Sequence, residues 1–400
     1  MYGAIVGDFI GSVYESQKCS DWEKFPISSD KSKFTDDTIM TIAVEEWLLS
    51  ADNLADLNDQ KLVQIMQSYG QKYPDRGYGA NFSQWIQSEN PQPYNSYGNG
   101  SAMRVSGVAW KFDNMDDVRS CARRSAAITH NHAEGIKGAE AIAAAVFLAR
   151  TGKSKADIKA YIVNEFDYDL EHNCDEIRKN SHFDDTCQVT VPLAIVAFLE
   201  STDFENAIRL AVSLGGDSDT IACMTGAIAE AYYGRLPNTE YNIICALPSE
   251  LRDVVEAFRQ KYVFINIWHE GDLRLAGFKI PKLNSNEIFV FGSNLSGLHG
   301  GGAARTAYER YGAQWGVGVG LTGQTYAIPT MQGGIDTIKP YTDEFTEFAK
   351  KHSELIFLVT RIGCGIAGFK ETEIAPLFAE SAKLPNVYLP FGFWKVINQN

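Results

Sequence analysis

Apolar residues recur at helical spacing through most of the first 260 residues. In Thr38–Leu49 the apolar positions lie three and four apart, and Asp36 and Asp37 precede them as candidate capping residues. Small Ala and Gly residues are frequent in these segments, which lets neighbouring helices approach closely. The same spacing predicts further helices over Asp117–Ile128, Gly135–Arg150, Val189–Leu199, Phe204–Leu214 and Thr220–Tyr233. Residues 1–262 are therefore predicted to form an all-α domain.

The pattern changes after Tyr262. Residues 263–286 mix short apolar runs with Gly, Pro and Asn, which is typical of a linker with one strand. Short β-strand patterns then alternate with helical ones, so residues 287–400 are predicted to form an α/β domain. The predicted strands are Glu287–Phe291, Tyr326–Pro329, Leu355–Thr360 and Asn386–Leu389, and the predicted helices are Ala304–Tyr311, Tyr341–Lys351 and Thr372–Ala382.

Composition supports two domains in one water-soluble chain. The 400 residues exceed what one core usually serves, and no apolar stretch is long enough to span a membrane. Seven cysteines without close pairing indicate reduced thiols and a cytoplasmic location. The net charge of −14 disfavours general binding to a phosphate backbone. Residues 286–400 carry 9 basic and 10 acidic residues, so the excess negative charge belongs to residues 1–285.

Two acidic motifs each open a predicted helix. Thr35-Asp36-Asp37-Thr38 and Gly215-Gly216-Asp217-Ser218-Asp219-Thr220 lie some 180 residues apart. Each motif alone is better explained as a helix cap. Together, they could supply the oxygen ligands that Mg²⁺ prefers, and a pair of cations would neutralise carboxylates that otherwise repel one another.

Three further motifs contain candidate functional groups. Gly7–Glu15 (GDFIGSVYE) is glycine-rich and ends in a carboxylate, although it also fits a packing helix. Ser96–Arg104 (SYGNGSAMR) is a glycine loop before a helix, which suits an anion such as a diphosphate but also fits an ordinary turn and cap. Thr129-His130 ends a helix and indicates phosphate or metal binding, whereas a structural histidine is the simpler alternative.

Taken in order along the chain, these motifs resemble the ADP-ribosylglycohydrolase family. GDxxGSxxE, FTDDT, YGNGSAMR, TH and GGDSDT all occur within residues 1 to about 260. The resemblance implies an all-α hydrolase that cleaves the glycosidic bond between ADP-ribose and a modified target. It also implies a centre of two Mg²⁺ ions, with Mn²⁺ as the alternative, held by Thr35, Asp36, Asp37, Asp217, Asp219 and Thr220.

The resemblance also assigns roles at the reacting bond. Glu15 would be the mobile acid/base residue, and Asp37 and Asp217 would be further catalytic carboxylates. The diphosphate and ribose would be bound by Ser96, Tyr97, Gly98, Asn99, Gly100, Ser101 and His130. These residue types fit the chemistry, because glycoside hydrolysis passes through an oxocarbenium-like state that needs carboxylates to activate water and protonate the leaving group.

The second domain has glycine loops after two predicted strands. Asn294 and the run Gly300-Gly301-Gly302 follow the first strand, and Gly363–Phe369 follows a later one. Ligands of α/β folds bind outside such strand ends. The loops resemble those of macrodomains, which bind ADP-ribose, and the resemblance would make Asn294, Gly301, Gly302, Gly363, Gly365, Ile366, Gly368 and Phe369 ligand contacts. A purely structural glycine-rich domain is the alternative, and Cys364 is a weaker candidate as a nucleophile.

Several hypotheses remain open from sequence. The leading one is an enzyme that acts on an ADP-ribosylated protein, with ADP-ribose as the shared ligand of both domains and no membrane partner. A second is a regulatory protein that binds ADP-ribose or a related nucleotide without turnover. The sequence does not separate arginine, serine, nucleobase or small-molecule linkages, so a modified nucleic acid stays among the substrates.

Overall fold

The computed structural model describes residues 2–15, 19, 22–27, 29–180, 182–234, 243–263, 267–270, 273–276, 280 and 282–398. The chain divides into two compact units, Met1–Val263 and Phe264–Asn400. Within the described residues, none of the helices combines the length and the apolarity that crossing a bilayer requires.

The first unit is helical. Each helix predicted from periodicity is present, with ends within two residues of those predicted. Additional helices lie at the N-terminus, within residues 59–111, within residues 155–179 and within residues 249–262. The helices are α1 Tyr2–Gly11, α2 Asp36–Leu49, α3 Asp59–Lys72, α4 Ala80–Gln87, α5 Gly100–Met103, α6 Val108–Lys111, α7 Met115–Ala127, α8 Ala133–Arg150, α9 Lys155–Phe166, α10 Cys174–Lys179, α11 Cys187–Glu200, α12 Phe204–Ser213, α13 Ser218–Tyr233 and α14 Ser249–Tyr262.

Helices α1 and α13 pack closely against each other. Gly3, Gly7 and Gly11 lie four residues apart on one face of α1, and each is buried against the backbone of α13. A methyl group on Gly11 would lie 2.5 Å from the carbonyl oxygen of Ser218 and 2.6 Å from the Cα atom of Asp219. The glycines therefore set how closely the end of α1 approaches the start of α13.

The second unit contains a five-stranded sheet in the order β4-β5-β3-β6-β7 and a separate hairpin, β1-β2. Strand β3 runs parallel to both β5 and β6, so the carboxyl ends of these three strands lie at one edge. Ile288 and Val290 face one core cluster, and Phe289 and Phe291 face another on the opposite side. The elements are β1 Ile267–Glu270, β2 Leu273–Ala276, β3 Glu287–Ser293, β4 Gly320–Thr322, β5 Thr325–Pro329, β6 Ile356–Val359, β7 Val387–Tyr388, α15 Gly302–Arg310, α16 Ile335–Lys351, α17 Glu371–Ile374 and α18 Phe391–Ile397.

Two segments of this unit differ from the sequence expectations. The helix predicted over Thr372–Ala382 is wrong as one element: α17 ends at Ile374, and 3-10 turns follow at Ala375–Phe378 and Ser381–Lys383. Pro376 lacks the backbone N–H that a continuing helix would need. Residues 263–286, expected to be a linker with one strand, contain the antiparallel β1-β2 hairpin. The Ala276 N–H donates to the Leu389 carbonyl, which attaches this hairpin to the second unit.

Candidate active site

The two acidic motifs meet at the floor of one cavity in the first unit. Thr35, Asp36 and Asp37 lie at the start of α2, and Asp217, Asp219 and Thr220 lie at the start of α13. All six line a cavity of about 320 Å³, together with Glu15. The two helix starts are linked directly, because the Thr220 hydroxyl donates to Asp37 Oδ2 at 3.1 Å. The structure therefore brings together the whole predicted ligand set.

The electrostatics of this cluster are unfavourable for bare carboxylates. Burial, followed by the charge of Asp8, raises the pKa of Asp36 to about 8. Burial and neighbouring carboxylates also hold the pKa values of Asp37 and Asp219 well above their usual range. Helix N-termini normally favour anions, but here the mutual repulsion and desolvation outweigh that effect. A divalent cation would offset both costs.

One buried oxygen in the cluster fits a cation especially well. Asp37 Oδ1 is buried and has no hydrogen-bond partner among the described residues. Two triplets of carboxylate oxygens each lie within 4.8 Å of one another: those of Asp8, Asp37 and Asp219, and those of Glu15, Asp217 and Asp219. Such all-oxygen donor sets suit hard cations such as Mg²⁺ or Mn²⁺. The residues present therefore fit the implied metal centre.

Asp8 is a site residue that the sequence analysis did not assign. Its fully buried carboxylate accepts hydrogen bonds from the backbone N–H groups of Thr35 and Thr38 at 3.0 and 3.1 Å, and from both threonine hydroxyls. These bonds fix the first turn of α2, on which Asp36 and Asp37 are carried. Asp8 lies inside the GDxxGSxxE motif that the sequence analysis singled out. The spacing of that motif did not show that Asp8 contacts Thr35 and Thr38.

Glu15 lies between this cluster and solvent. Its side chain is half-buried, and burial followed by the charge of Asp217 raises its pKa, while Lys33 opposes the shift. A raised pKa brings a carboxyl group closer to the range in which it can donate a proton to a leaving group. Its position one turn beyond the end of α1 therefore suits the acid/base role predicted for it.

The glycine loop within Ser96–Arg104, which was predicted to bind an anion, forms the adjoining wall of the cavity. Ser96, Gly98, Asn99, Gly100 and His130 all line it. The loop is held by α11 and the residues before it, since Asn99 N–H donates to the Asp185 carbonyl at 2.8 Å and Cys187 N–H donates to the Tyr97 carbonyl at 3.0 Å. Gly98 and Gly100 leave free space beside the His130 ring that a side chain would fill.

Three residues of the predicted loop make contacts within the protein that the sequence did not indicate. The Asn99 side chain donates to Asp217 Oδ2 at 2.6 Å, so it links the loop to the carboxylates. Ser101 is fully buried and donates to the Gly135 carbonyl, and Tyr97 is 49% exposed with its ring against His132. Neither Ser101 nor Tyr97 is among the residues lining the cavity. Asp185, which precedes α11, also lines the cavity.

The second unit has its own cleft, of about 220 Å³, at the carboxyl ends of β3, β5 and β6. Six predicted contact residues line it: Asn294, Gly301, Gly302, Gly363, Gly365 and Ile366. The other two, Gly368 and Phe369, are not among its lining residues, and Phe369 packs against the core instead. Burial raises the pKa of the Cys364 thiol, which argues against an activated nucleophile there.

Comparison with known proteins identifies the first unit. A family model described as ADP-ribosylglycohydrolase matches residues 1–265. The chain belongs to the ADP-ribosylglycohydrolase family. It is 29% identical to ADP-ribosylhydrolase ARH3 of Homo sapiens, over 58% of this chain and 84% of that protein. It is 28% identical to ADP-ribosylarginine hydrolase Tri1 of Pseudomonas putida, over 34% of this chain and 38% of that protein.

A solved structure described as an ADP-ribosylglycohydrolase-related protein complex gives a TM-score of 0.49 at 24% identity, over 64% of this chain and 94% of that one. The family match and the relatives confirm the prediction of a glycosidic-bond hydrolase, which acts on ADP-ribosyl bonds. As a member of this family, the chain has its expected helical fold in the first unit, and the carboxylates of its acidic cluster lie close enough together to bind a metal ion.

Proposed function

We propose that the first unit releases ADP-ribose from a modified protein or other modified target, with two Mg²⁺ ions bound by Thr35, Asp36, Asp37, Asp217, Asp219 and Thr220. Mn²⁺ is the alternative ion. The observation that carries this proposal is the meeting of both acidic motifs, Glu15 and the glycine loop around one cavity. When bound, the ions would supply charge neutralisation and would orient the ribose hydroxyls.

The residues of the chain perform the remaining chemistry. Glu15 would donate a proton to the leaving group and take one from the attacking water, as carboxylates do in glycoside hydrolysis. Asp37 and Asp217, on opposite helix starts, fix the geometry of the cation site. The backbone of Gly98 and Gly100 and the ring of His130 would bind the diphosphate. Holding ribose and diphosphate at two fixed points would position the scissile bond beside Glu15.

The direct test measures ADP-ribose release from defined substrates with arginine, serine and nucleobase linkages. We expect release in Mg²⁺, loss in EDTA, and recovery on addition of Mg²⁺ or Mn²⁺. The Asp217→Ala, Asp219→Ala double variant should lose release, whereas Asp253→Ala, which removes an exposed carboxylate elsewhere in the unit, should retain it. Undiminished release by the double variant would refute the metal site. ADP-ribose binding with no turnover on any linkage would instead support a regulatory protein.

We further propose that the second unit is macrodomain-like and binds ADP-ribose or a related nucleotide. Its cleft lies where β3, β5 and β6 end and α15 begins, which directs backbone N–H groups and a helix N-terminus toward a bound phosphate. Ile366 and Met331 line the same cleft with 74% and 54% of their surface exposed. Such apolar rims are suited to the face of a nucleobase.

Calorimetry on the full chain tests this second site. We expect two ADP-ribose molecules per chain, and one in the Gly302→Val variant. Gly302 lines the cleft and has a φ of +56°, so a β-branched residue there would strain the backbone that forms the cleft. Gly334→Ala is the control, because its added methyl group meets no atom within 4 Å and lies outside the cleft. Unchanged stoichiometry in Gly302→Val would contradict the proposal.

A further inference from the structure

A buried cation lies at the end of the Ser96–Arg104 segment. The Arg104 side chain is 1% exposed and lines the catalytic cavity. In the part of the chain that the structure describes, it forms no ion pair, and its Nε atom is buried without a hydrogen-bond partner. Burying a guanidinium unpaired is costly, so a role beyond packing is expected for this residue.

The hydrogen bonds of Arg104 lead to the catalytic cavity. Its Nη2 atom donates to the Ser125 carbonyl at 2.9 Å and to the Thr129 hydroxyl at 2.8 Å. Thr129 Oγ1 lies 2.7 Å from His130 Nδ1. Oγ1 accepts from Arg104, and among the described residues His130 Nδ1 is the acceptor within reach of the hydroxyl proton, so the arrangement that satisfies this proton has Oγ1 donating to Nδ1. Nδ1 is then the unprotonated nitrogen of the ring.

The other ring nitrogen faces the loop. A methyl group on Gly100 would lie 3.1 Å from His130 Nε2, and one on Gly98 would lie 3.7 Å from it. The ring is 5% exposed, and burial followed by the charge of Arg104 holds its pKa well below the usual range. A neutral ring whose Nδ1 accepts must carry its proton on Nε2. That proton is directed into the space between the two glycines.

We propose that Arg104 and Thr129 are positioning residues that hold His130 in its Nε2-protonated tautomer, so that the ring donates a hydrogen bond to an anionic phosphate oxygen at the Gly98–Gly100 loop. The identity of the ligand rests on the proposed function, whereas the hydrogen-bonded relay from Arg104 through Thr129 to His130 does not. Arg104 also places a positive charge at the cavity, which attracts an anionic ligand.

The relay can be tested without a substrate. In full-length protein with ¹⁵N-labelled histidine, the His130 signals among the seven histidines are assigned by their loss in His130→Gln. We expect wild-type Nδ1 to resonate as an unprotonated nitrogen and Nε2 as a protonated one. Thr129→Val keeps the side-chain shape but removes the hydroxyl, and Arg104→Met removes the donor behind it. Both should shift the ring toward a mixture of tautomers, whereas Thr129→Ser should retain the wild-type pattern.

Ligand binding provides the second measurement. Inhibition by ADP-ribose should weaken roughly 10- to 100-fold in Thr129→Val, as expected when a hydrogen bond to a charged group is lost, while inhibition by adenosine should change little. An Nδ1-protonated ring in wild type, or ring shifts unchanged in both Thr129→Val and Arg104→Met, would overturn the proposal. If the tautomer is as expected but ADP-ribose leaves the His130 signals unmoved, the relay stands and the proposed diphosphate site is wrong.

Discussion

The close packing of α1 on α13 predicts a large effect from one added methyl group. Gly11 ends α1, and the Cβ atom of an alanine there would lie 2.5 Å from the Ser218 carbonyl oxygen and 2.6 Å from the Asp219 Cα atom. Both are backbone atoms, so no side-chain rotation relieves the overlap. Reaching an ordinary contact of about 3.4 Å requires the two segments to separate by roughly 0.9 Å.

The magnitude of this effect has a structural and a functional part. Overpacking costs about 1–3 kcal/mol, and the better helix propensity of alanine returns less than about 1 kcal/mol, so a net loss of about 2 kcal/mol is expected for Gly11→Ala. In a unit of this size that loss lowers the melting temperature by roughly 4–8 °C. Because Asp219 carries a predicted metal ligand, a shift approaching 1 Å should also reduce kcat by about 10².

Thermal melting and ADP-ribose release, each measured across a range of Mg²⁺ concentrations, provide the assay for Gly11→Ala. Gly79→Ala is the matched control for melting, because it adds the same methyl group in the same unit with no atom within 4 Å. It should melt within about 1 °C of wild type, as surface substitutions usually do. A Gly11→Ala protein with wild-type melting and wild-type release would refute the argument that this contact positions Asp219.

Two further predictions concern the carboxylate cluster. Burial is the main cause that raises the pKa of Asp36 to about 8 and that of Asp8 to about 6. Without a cation, the folded chain therefore holds protons that the unfolded chain releases. The free energy of unfolding should fall as the pH rises from about 4 to about 8. The melting temperature in EDTA should therefore be lower at about pH 8 than at about pH 5, and Mg²⁺ should raise the melting temperature more at the higher pH. An equal effect of Mg²⁺ at both pH values would contradict the predicted direction. The Asp8→Asn substitution places an amide N–H₂ group among the donors of Thr35 and Thr38, so the free energy of unfolding should fall by about 2–3 kcal/mol. Mg²⁺ binding should also weaken, which is measured as the Mg²⁺ concentration for half-maximal stabilisation. Wild-type Mg²⁺ dependence in Asp8→Asn would show that Asp8 does not position the first turn of α2.

The sequence predicted those features that depend on local pattern. The spacing in Thr38–Leu49 located α2 to within two residues, and the order of the motifs indicated the family that the comparisons confirm. A packing helix was only an alternative interpretation of Gly7–Glu15, because the glycines of α1 and its apolar residues on all sides give no amphipathic pattern. The roles of Asp8 and Thr129 could not be predicted, since each depends on which buried polar atom faces it across the fold.

The close approach of α1 to α13 connects the glycines of α1 to the proposed chemistry of the site. Glu15 follows Gly11 by one turn, in which the Tyr14 N–H donates to the Gly11 carbonyl at 2.8 Å. The Ser218 hydroxyl donates to that same carbonyl at 3.0 Å, so the end of α1 is joined directly to the start of α13. Glu15 can lie within 4.8 Å of the carboxylates of Asp217 and Asp219 only if the two backbones approach this closely. A residue with a Cβ atom at position 11 would keep them apart, and the proposed acid/base carboxylate would then be separated from the carboxylates proposed to bind the cations.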